Sequence, residues 1–238
     1  MALQTTLARA VSASGHGLHT GEPVSITLKP APAYTGYVFR RTDLNNFEIP
    51  AAPQYVARVS YATTLMRQGV MIATVEHLLA ALAGSHIDNC IIEVDSLEVP
   101  ILDGSAEPFI DLIEQAGRAQ LEAPRQFLRL LKRVEVVDGN RRMSISPDSR
   151  FSVSCLIEFP HPLIGTQRYD IHLVNGQFTQ EIASARILGF LNEIEALRGS
   201  GLIRGGSLEN AVVLTPEGGI LNREGLRYTD EFVRHKII

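Results

Sequence analysis

Residues 74–117, "TVEHLLAALAGSHIDNCIIEVDSLEVPILDGSAEPFIDLIEQAG", are the stretch on which the fold reading turns. Apolar residues recur at helical spacing over 74–82, with Thr74 as the expected N-cap and Gly84 as the stop. "NCIIEVDSLEVPIL" reads as a pair of strands, and "DGSAEPFIDLIEQAG" as a turn leading into an amphipathic helix that ends at Gly117. Upstream, "QTTLARAVSASGHGLHTG" and "PVSITLKPA" alternate as strands joined by a glycine-rich turn, and "GYVFRRTDL" continues the sheet. "NNFEIPAAPQYVARVSYATTLMRQG", interrupted by prolines, reads as an excursion of short strands away from the main sheet. Strands first and helices after make residues 1–120 one α+β unit.

Beyond the polar, proline-containing link "RAQLEAPRQ" the order begins again. "FLRLLKRVEVVDG", "RRMSISP", "FSVSCLIEF" and "QRYDIHLV" read as strands, and "SARILGFLNEIEALRG" as an apolar helix. A last helix starts in "EGLRYTDEFVRHKII", with His235 and Lys236 at its opening, and the second unit, 127–238, looks unfinished at Ile238. The expectation is an α+β chain of two similarly built domains, without a visible sequence repeat.

Composition narrows the function. With 45% hydrophobic and 20% charged residues the 238-residue chain has an ordinary globular balance, which argues against disorder. A formal net charge of -4 provides no basic field for nucleic acid or an anionic membrane. Cys90 and Cys155 lie far apart inside apolar runs, a pattern of buried thiols in a reducing cytosol rather than of a zinc knuckle or disulfide framework. The N-terminus lacks the apolar core of a signal peptide, and no run of about 18 apolar residues occurs, so a cytoplasmic monomer without a membrane span is expected.

Against this background Glu76 and His77, side by side at the head of an apolar helix, need a reason. A single histidine at a helix start is more often a cap or a partly buried hydrogen-bonding group than a metal ligand. His235 changes the weighing, because a second histidine in a similar setting could meet the first across a cleft. Two imidazoles and one carboxylate leave an open position on zinc for activating water, and ferrous iron also suits such a set. Glu76, beside a ligand but not itself bound, could then act as general base in amide hydrolysis.

"GLHTG", "PAPAYTGYVFRRTDL", "TVEHLLAALAG", "IDNCIIEVDSLEVPILDGSAEPF", "GGSLENAVVL" and "EGLRYTDEFVRHK" together resemble, in order and across essentially the whole chain, the UDP-3-O-acyl-N-acetylglucosamine deacetylases. The resemblance implies a zinc hydrolase that removes acetate from a UDP-linked acylated glucosamine, the committed step of lipid A synthesis. It also implies two domains, each an antiparallel sheet layered on helices, with the helices packed between the sheets and the site at their junction. Carried over residue by residue, it makes Glu76 the general base, His77 and His235 zinc ligands, and Lys236 a cation near the nucleotide. Arg141 matches a basic residue of the diphosphate region and reads equally well as a solvated strand-end arginine. Phe159 falls where the family stacks an aromatic ring on uracil, with a core strand residue as the competing reading. Leu18, Ile194, Ile203, Leu208 and Val213 align with the passage for the acyl chain. His19, within "GLHTG", belongs near the site with its role open, and Asp103 reads as a turn or cap carboxylate.

Three departures from the family pattern stand out. The third zinc ligand, an aspartate four residues after the second histidine, would be the residue following Ile238, and the general-acid histidine lies further on. Where the family usually reads "ARTFGF" this chain has "ARILGF", so Ile187 replaces a threonine hydroxyl expected to help stabilise the oxyanion. These departures keep a second reading open: a nucleotide-sugar-binding remnant without turnover. A purely structural protein would leave Glu76, His77 and His235 unexplained.

Overall fold

A computed structural model describes residues 2–174 and 176–238. The first strands are β1 (Leu3–Leu7), β2 (Val11–His16), β3 (Pro23–Pro30), β4 (Tyr37–Arg41) and β5 (Phe47–Pro50), followed by β6 (Val56–Arg58), β7 (Thr64–Arg67) and β8 (Val70–Ala73). Helix α1 (Glu76–Gly84), β9 (Cys90–Val94), α2 (Glu107–Ala116) and β10 (Arg118–Pro124) complete this half. One five-stranded sheet, in the order β2-β3-β9-β4-β5, carries it. Its pairs are antiparallel except β4 with β9. Period-two alternation turns Val24, Ile26 and Leu28 of β3, Phe39 of β4, Ile49 of β5 and Ile92 of β9 inward, where Leu78 and Leu82 of α1 and Phe109 and Ile113 of α2 meet them. The class is α+β, as the order of the elements predicts.

Several local expectations change. The proline-rich passage divides: Phe47–Pro50 joins the main sheet as β5, and the excursion proper is a separate three-stranded sheet of β6, β7 and β8. Only the first half of "NCIIEVDSLEVPIL" is a ladder strand; the rest makes isolated bridges, Glu98 to Ala73 and Pro100 to Gly17. The expected link "RAQLEAPRQ" is largely strand β10, paired antiparallel with β1. Thr74 is not the N-cap of α1, a position taken by Val75 without a side-chain cap. The Thr74 hydroxyl instead donates to the buried Glu98 carboxylate at 2.6 Å, and its φ is +57°.

Gly84 is the last helical residue of α1 rather than a stop beyond it. What demands glycine there is packing, since a Cβ would lie 2.2 Å from Cδ1 of Phe178. Gly84→Ala is therefore expected to destabilise the protein. Overpacking costs about 1–3 kcal/mol, more than the gain of up to about 1 kcal/mol in helix propensity. A lower urea midpoint at unchanged slope would show it; a raised midpoint would refute the packing explanation.

The second half comprises β11 (Val134–Asp138), β12 (Arg141–Ile145), β13 (Ser152–Phe159), β14 (Gly165–His172), α3 (Gln177–Glu181), β15 (Leu188–Phe190), α4 (Leu191–Gly199), β16 (Val212–Leu214) and α5 (Glu231–His235). The β11–β12 hairpin is exposed along its length, and β13 pairs with β14. "SARILGFLNEIEALRG" is not one helix. The Ile187 amide donates to the Gly104 carbonyl and its carbonyl accepts from Val212, so the backbone is committed to β15, parallel to β16, before α4 begins. Helix α5 starts at Glu231, which puts His235 at its end rather than its opening. A smaller core of Ile157, Ile164, Val212, Leu214, Phe232 and Val233 holds these pieces together. Among the described residues no helix is long and apolar enough to cross a membrane.

Candidate active site

A cavity of about 460 Å³ opens between the end of α5 and the start of α1. Twelve of the candidate site residues line it: Leu18 and His19 from the loop after β2, Glu76 and His77 from the first turn of α1, Phe159 at the end of β13, Ile187, Ile194 on α4, Ile203 and Leu208 in the following loop, Val213 on β16, and His235 with Lys236. Arg141 does not join them; it begins the exposed strand β12, across from Asp138. Tyr61, Phe190, Leu197 and Arg198 line the cavity without having been anticipated. Leu197 could have been found from its spacing, three residues after Ile194 on α4. Tyr61 could not, because it comes from a loop with φ at +64°.

The rings of His77 and His235 stand 5.3 Å apart between centroids, tilted by 44°. Nδ1 of His77 and both ring nitrogens of His235 are buried with no hydrogen-bond partner among the described residues. Burial pushes His77 down to about 4, against the opposing influence of the Ser105 backbone and the Asp103 carboxylate. Burial likewise holds His235 well below its ordinary value, helped by His77 and the Lys236 ammonium. Two neutral imidazoles facing each other with unused lone pairs are costly for a fold to bury and well suited to a divalent cation. Among the described residues no third histidine, cysteine or carboxylate gathers with them.

Glu76 stays apart from this pair although it adjoins His77 in sequence, because successive helical residues diverge around the axis. Its Oε2 accepts the Thr63 amide at 3.0 Å. Burial raises its carboxyl above the ordinary range, the backbone donors of Glu76 and Thr63 pull the other way, and the Glu98 charge adds to the rise. That is the direction a general base working near neutral pH requires. His19 receives the Ile203 amide on Nδ1 at 3.4 Å, which assigns the proton to Nε2; Nε2 is buried without a protein partner.

The placement of His235 depends on a buried ion pair one turn earlier. Glu231 is 0% exposed, and its Oε1 accepts both Nε and the backbone amide of Arg186 at 2.9 Å, while Oε2 accepts the Arg227 amide at 2.7 Å. Arg186, 2% exposed, also reaches Glu224 and the Gly225 carbonyl. The start of α5 is thereby tied to the segment that carries Ile187. Arg234 adds a second anchor, its guanidinium 4.0 Å from the Tyr169 ring and 4.4 Å from that of Tyr228. Asp103 behaves as a turn carboxylate, accepting the Ser105 amide and pairing with Arg227.

The family described as UDP-3-O-acyl N-acetylglycosamine deacetylase matches residues 4–238. A protein of Myxococcus xanthus named UDP-3-O-acyl-N-acetylglucosamine deacetylase is 52% identical over 236 residues, covering 99% of this chain and 75% of its own. Proteins of the same name from Solibacter usitatus and Cellvibrio japonicus are 50% and 47% identical, each over 100% of this chain and over 80% and 79% of their own lengths.

Proposed function

We propose, because the chain belongs to the UDP-3-O-acyl-N-acetylglucosamine deacetylase family, that its cavity hydrolyses the acetamide of a UDP-linked, 3-O-acylated N-acetylglucosamine and releases acetate in lipid A biosynthesis. The observation that carries the reading is the pair of adjacent imidazoles, His77 and His235, whose buried Nδ1 atoms and His235 Nε2 have no partner among the described residues, with the carboxylate of Glu76 lining the same cavity. These two residues would hold zinc, or ferrous iron, which supplies polarisation of the acetamide carbonyl and activation of water. Glu76, oriented by the Thr63 amide, takes the proton of the attacking water. Lys236, exposed at the rim, meets the diphosphate as a point charge. Phe159, whose ring centroid is 6.0 Å from that of Phe190, offers an aromatic face to uracil. Leu18, Ile194, Ile203, Leu208 and Val213 form the apolar wall for the acyl chain. His19 donates from Nε2 to a substrate oxygen. Arg141, exposed on β12 and outside the cavity lining, fits the reading of a solvated strand-end cation better than that of a diphosphate contact.

The same reading divides the chain into domains at 1–120 and 127–238, with the helices between two sheets, and makes it a cytoplasmic monomer. The test is acetate release from the acylated UDP-sugar by metal-replete protein. Tight binding of the UDP-sugar with no acetate released would favour the binding remnant, a reading that the apolar Ile187 in the cavity wall supports. Ile187→Thr belongs in the same assay. A hydroxyl aimed at the oxyanion acts in the transition state, so kcat should rise with little change in KM. Losing such a donor typically costs about 10²- to 10³-fold, which sets the largest gain to be expected. A folded, metal-loaded Thr variant that is no faster would mean that another group stabilises the oxyanion.

A further inference from the structure

We propose that Glu98 is a positioning residue that ties both walls of the cavity to one buried carboxylate; this rests on the reading of the cavity given above. Glu98 is 0% exposed, and no lysine, arginine or histidine forms an ion pair with it among the described residues. It is satisfied by four neutral donors. Oε1 accepts the His19 amide at 3.0 Å and the Thr74 hydroxyl at 2.6 Å. Oε2 accepts the Thr20 amide at 2.9 Å and the Thr20 hydroxyl at 3.0 Å.

These donors come from two segments that this side chain joins and that each deliver site residues. The loop supplies Leu18 and His19, and it closes over the carboxylate only because residue 17 is glycine. A Cβ there would stand 2.3 Å from Oγ1 of Thr20 and 2.4 Å from Oε2 of Glu98. The other segment leads into α1. Thr74 holds a φ of +57°, which β-branched residues rarely adopt, and the chain turns there so that Glu76 and His77 follow within three residues. The backbone reinforces the link, as the Ala73 amide donates to the Leu97 carbonyl at 2.9 Å and Val99 donates back to Ala73 at 3.0 Å.

A buried carboxyl group that pairs with no cation is an expensive way to hold two loops if only packing is needed. It is a good way to fix direction, because both oxygens are acceptors and every donor must point at them. An amide cannot substitute. In Glu98→Gln the NH2 replaces one acceptor and confronts the amide hydrogen of His19 or Thr20.

Backbone amide exchange, read residue by residue on the full chain, tests the proposal without requiring turnover, so its failure is distinguishable from failure of the deacetylase reading. In Glu98→Gln the amides of His19 and Thr20 and those of Val75 and Leu79 should all exchange faster, by about tenfold or more where a bond to a charged acceptor is lost. The amides of α2 and β3 should keep their rates. In an acetate-release assay kcat should fall more than KM changes. Acceleration confined to the loop, or spread equally to α2 and β3, overturns the proposal, the first by removing the coupling and the second by making Glu98 a general stability residue. Should that variant not fold, Thr20→Val removes one donor from the loop alone. Faster exchange at Val75 and Leu79 then supports the coupling, and unchanged exchange there overturns it.

Discussion

Glu76→Gln is expected to lower kcat by about 10²- to 10⁴-fold while the protein keeps the metal content of the wild type, and His77→Ala is expected to lose stoichiometric metal altogether. The two residues are neighbours in sequence, but the helix separates their tasks. The ring of His77 stands 5.3 Å from that of His235, whereas Glu76 is held by the Thr63 amide. Glutamine can accept that amide bond, so the variant should fold. It should also be at least as stable as the wild type at neutral pH, because burial penalises the Glu76 carboxylate. The sign follows from the raised carboxyl. The folded wild type holds a proton that the unfolded chain has released, its stability falls as pH rises through that window, and the advantage of the glutamine variant shrinks as pH falls back through it. Metal analysis after dialysis, steady-state kinetics and urea unfolding on both sides of the window cover all three claims. Equal metal loss in the two variants would make Glu76 a ligand and remove it as the base.

What could be read from sequence, and what could not, follows the range of the interactions involved. Helix α2 is amphipathic and ends at a glycine with φ of +69°, so its local pattern sufficed. Thr74 looks like a cap because threonine before an apolar run usually is one. Here its hydroxyl is committed to Glu98, which only the tertiary fold brings near. Strand β10 reads as a linker because its alternation is mostly polar, as suits a strand in a two-stranded pair. "ARILGF" reads as helix for the opposite reason, its apolar run being consistent with either element. Of the site, Glu76 and His77 stand out by residue type at the head of an apolar helix, whereas the approach of His235, far along the chain, is a tertiary contact that no local pattern encodes. The cavity wall came through family resemblance rather than periodicity. Arg141 shows the limit of that route, since a position matched in sequence ended on an exposed hairpin. Glu98 and Arg186 carried no signal, because a charged residue in a strand or turn usually faces water.

Glu231→Gln is expected to destabilise the protein by about 3–5 kcal/mol, a shift of about 10 °C in Tm for a chain of this size, and to weaken metal binding with it. The variant removes the buried charge partner of the Arg186 guanidinium, 2% exposed, leaving Glu224 as its carboxylate, and it puts an NH2 donor where one oxygen of Glu231 accepts from Arg186 or Arg227, which loosens the start of the short helix whose last residue is His235. A loss of this size is a large share of the roughly 5–15 kcal/mol that holds a typical domain together. The informative companion is Arg186→Met with Glu231→Leu. Replacing a buried ion pair by apolar residues of similar volume is often neutral or stabilising. In this protein, however, Glu231 also accepts the backbone amides of Arg186 and Arg227. The double variant strands both donors, at about 1–3 kcal/mol each, so it should recover only part of the stability lost in Glu231→Gln. Metal affinity, measured by chelator competition, should stay below the wild type in both, because neither restores the tie between α5 and the Ile187 segment. A double variant as stable as the wild type, with unchanged metal affinity, would show that α5 is held by its apolar contacts through Phe232 and Val233 and that the ion pair is dispensable.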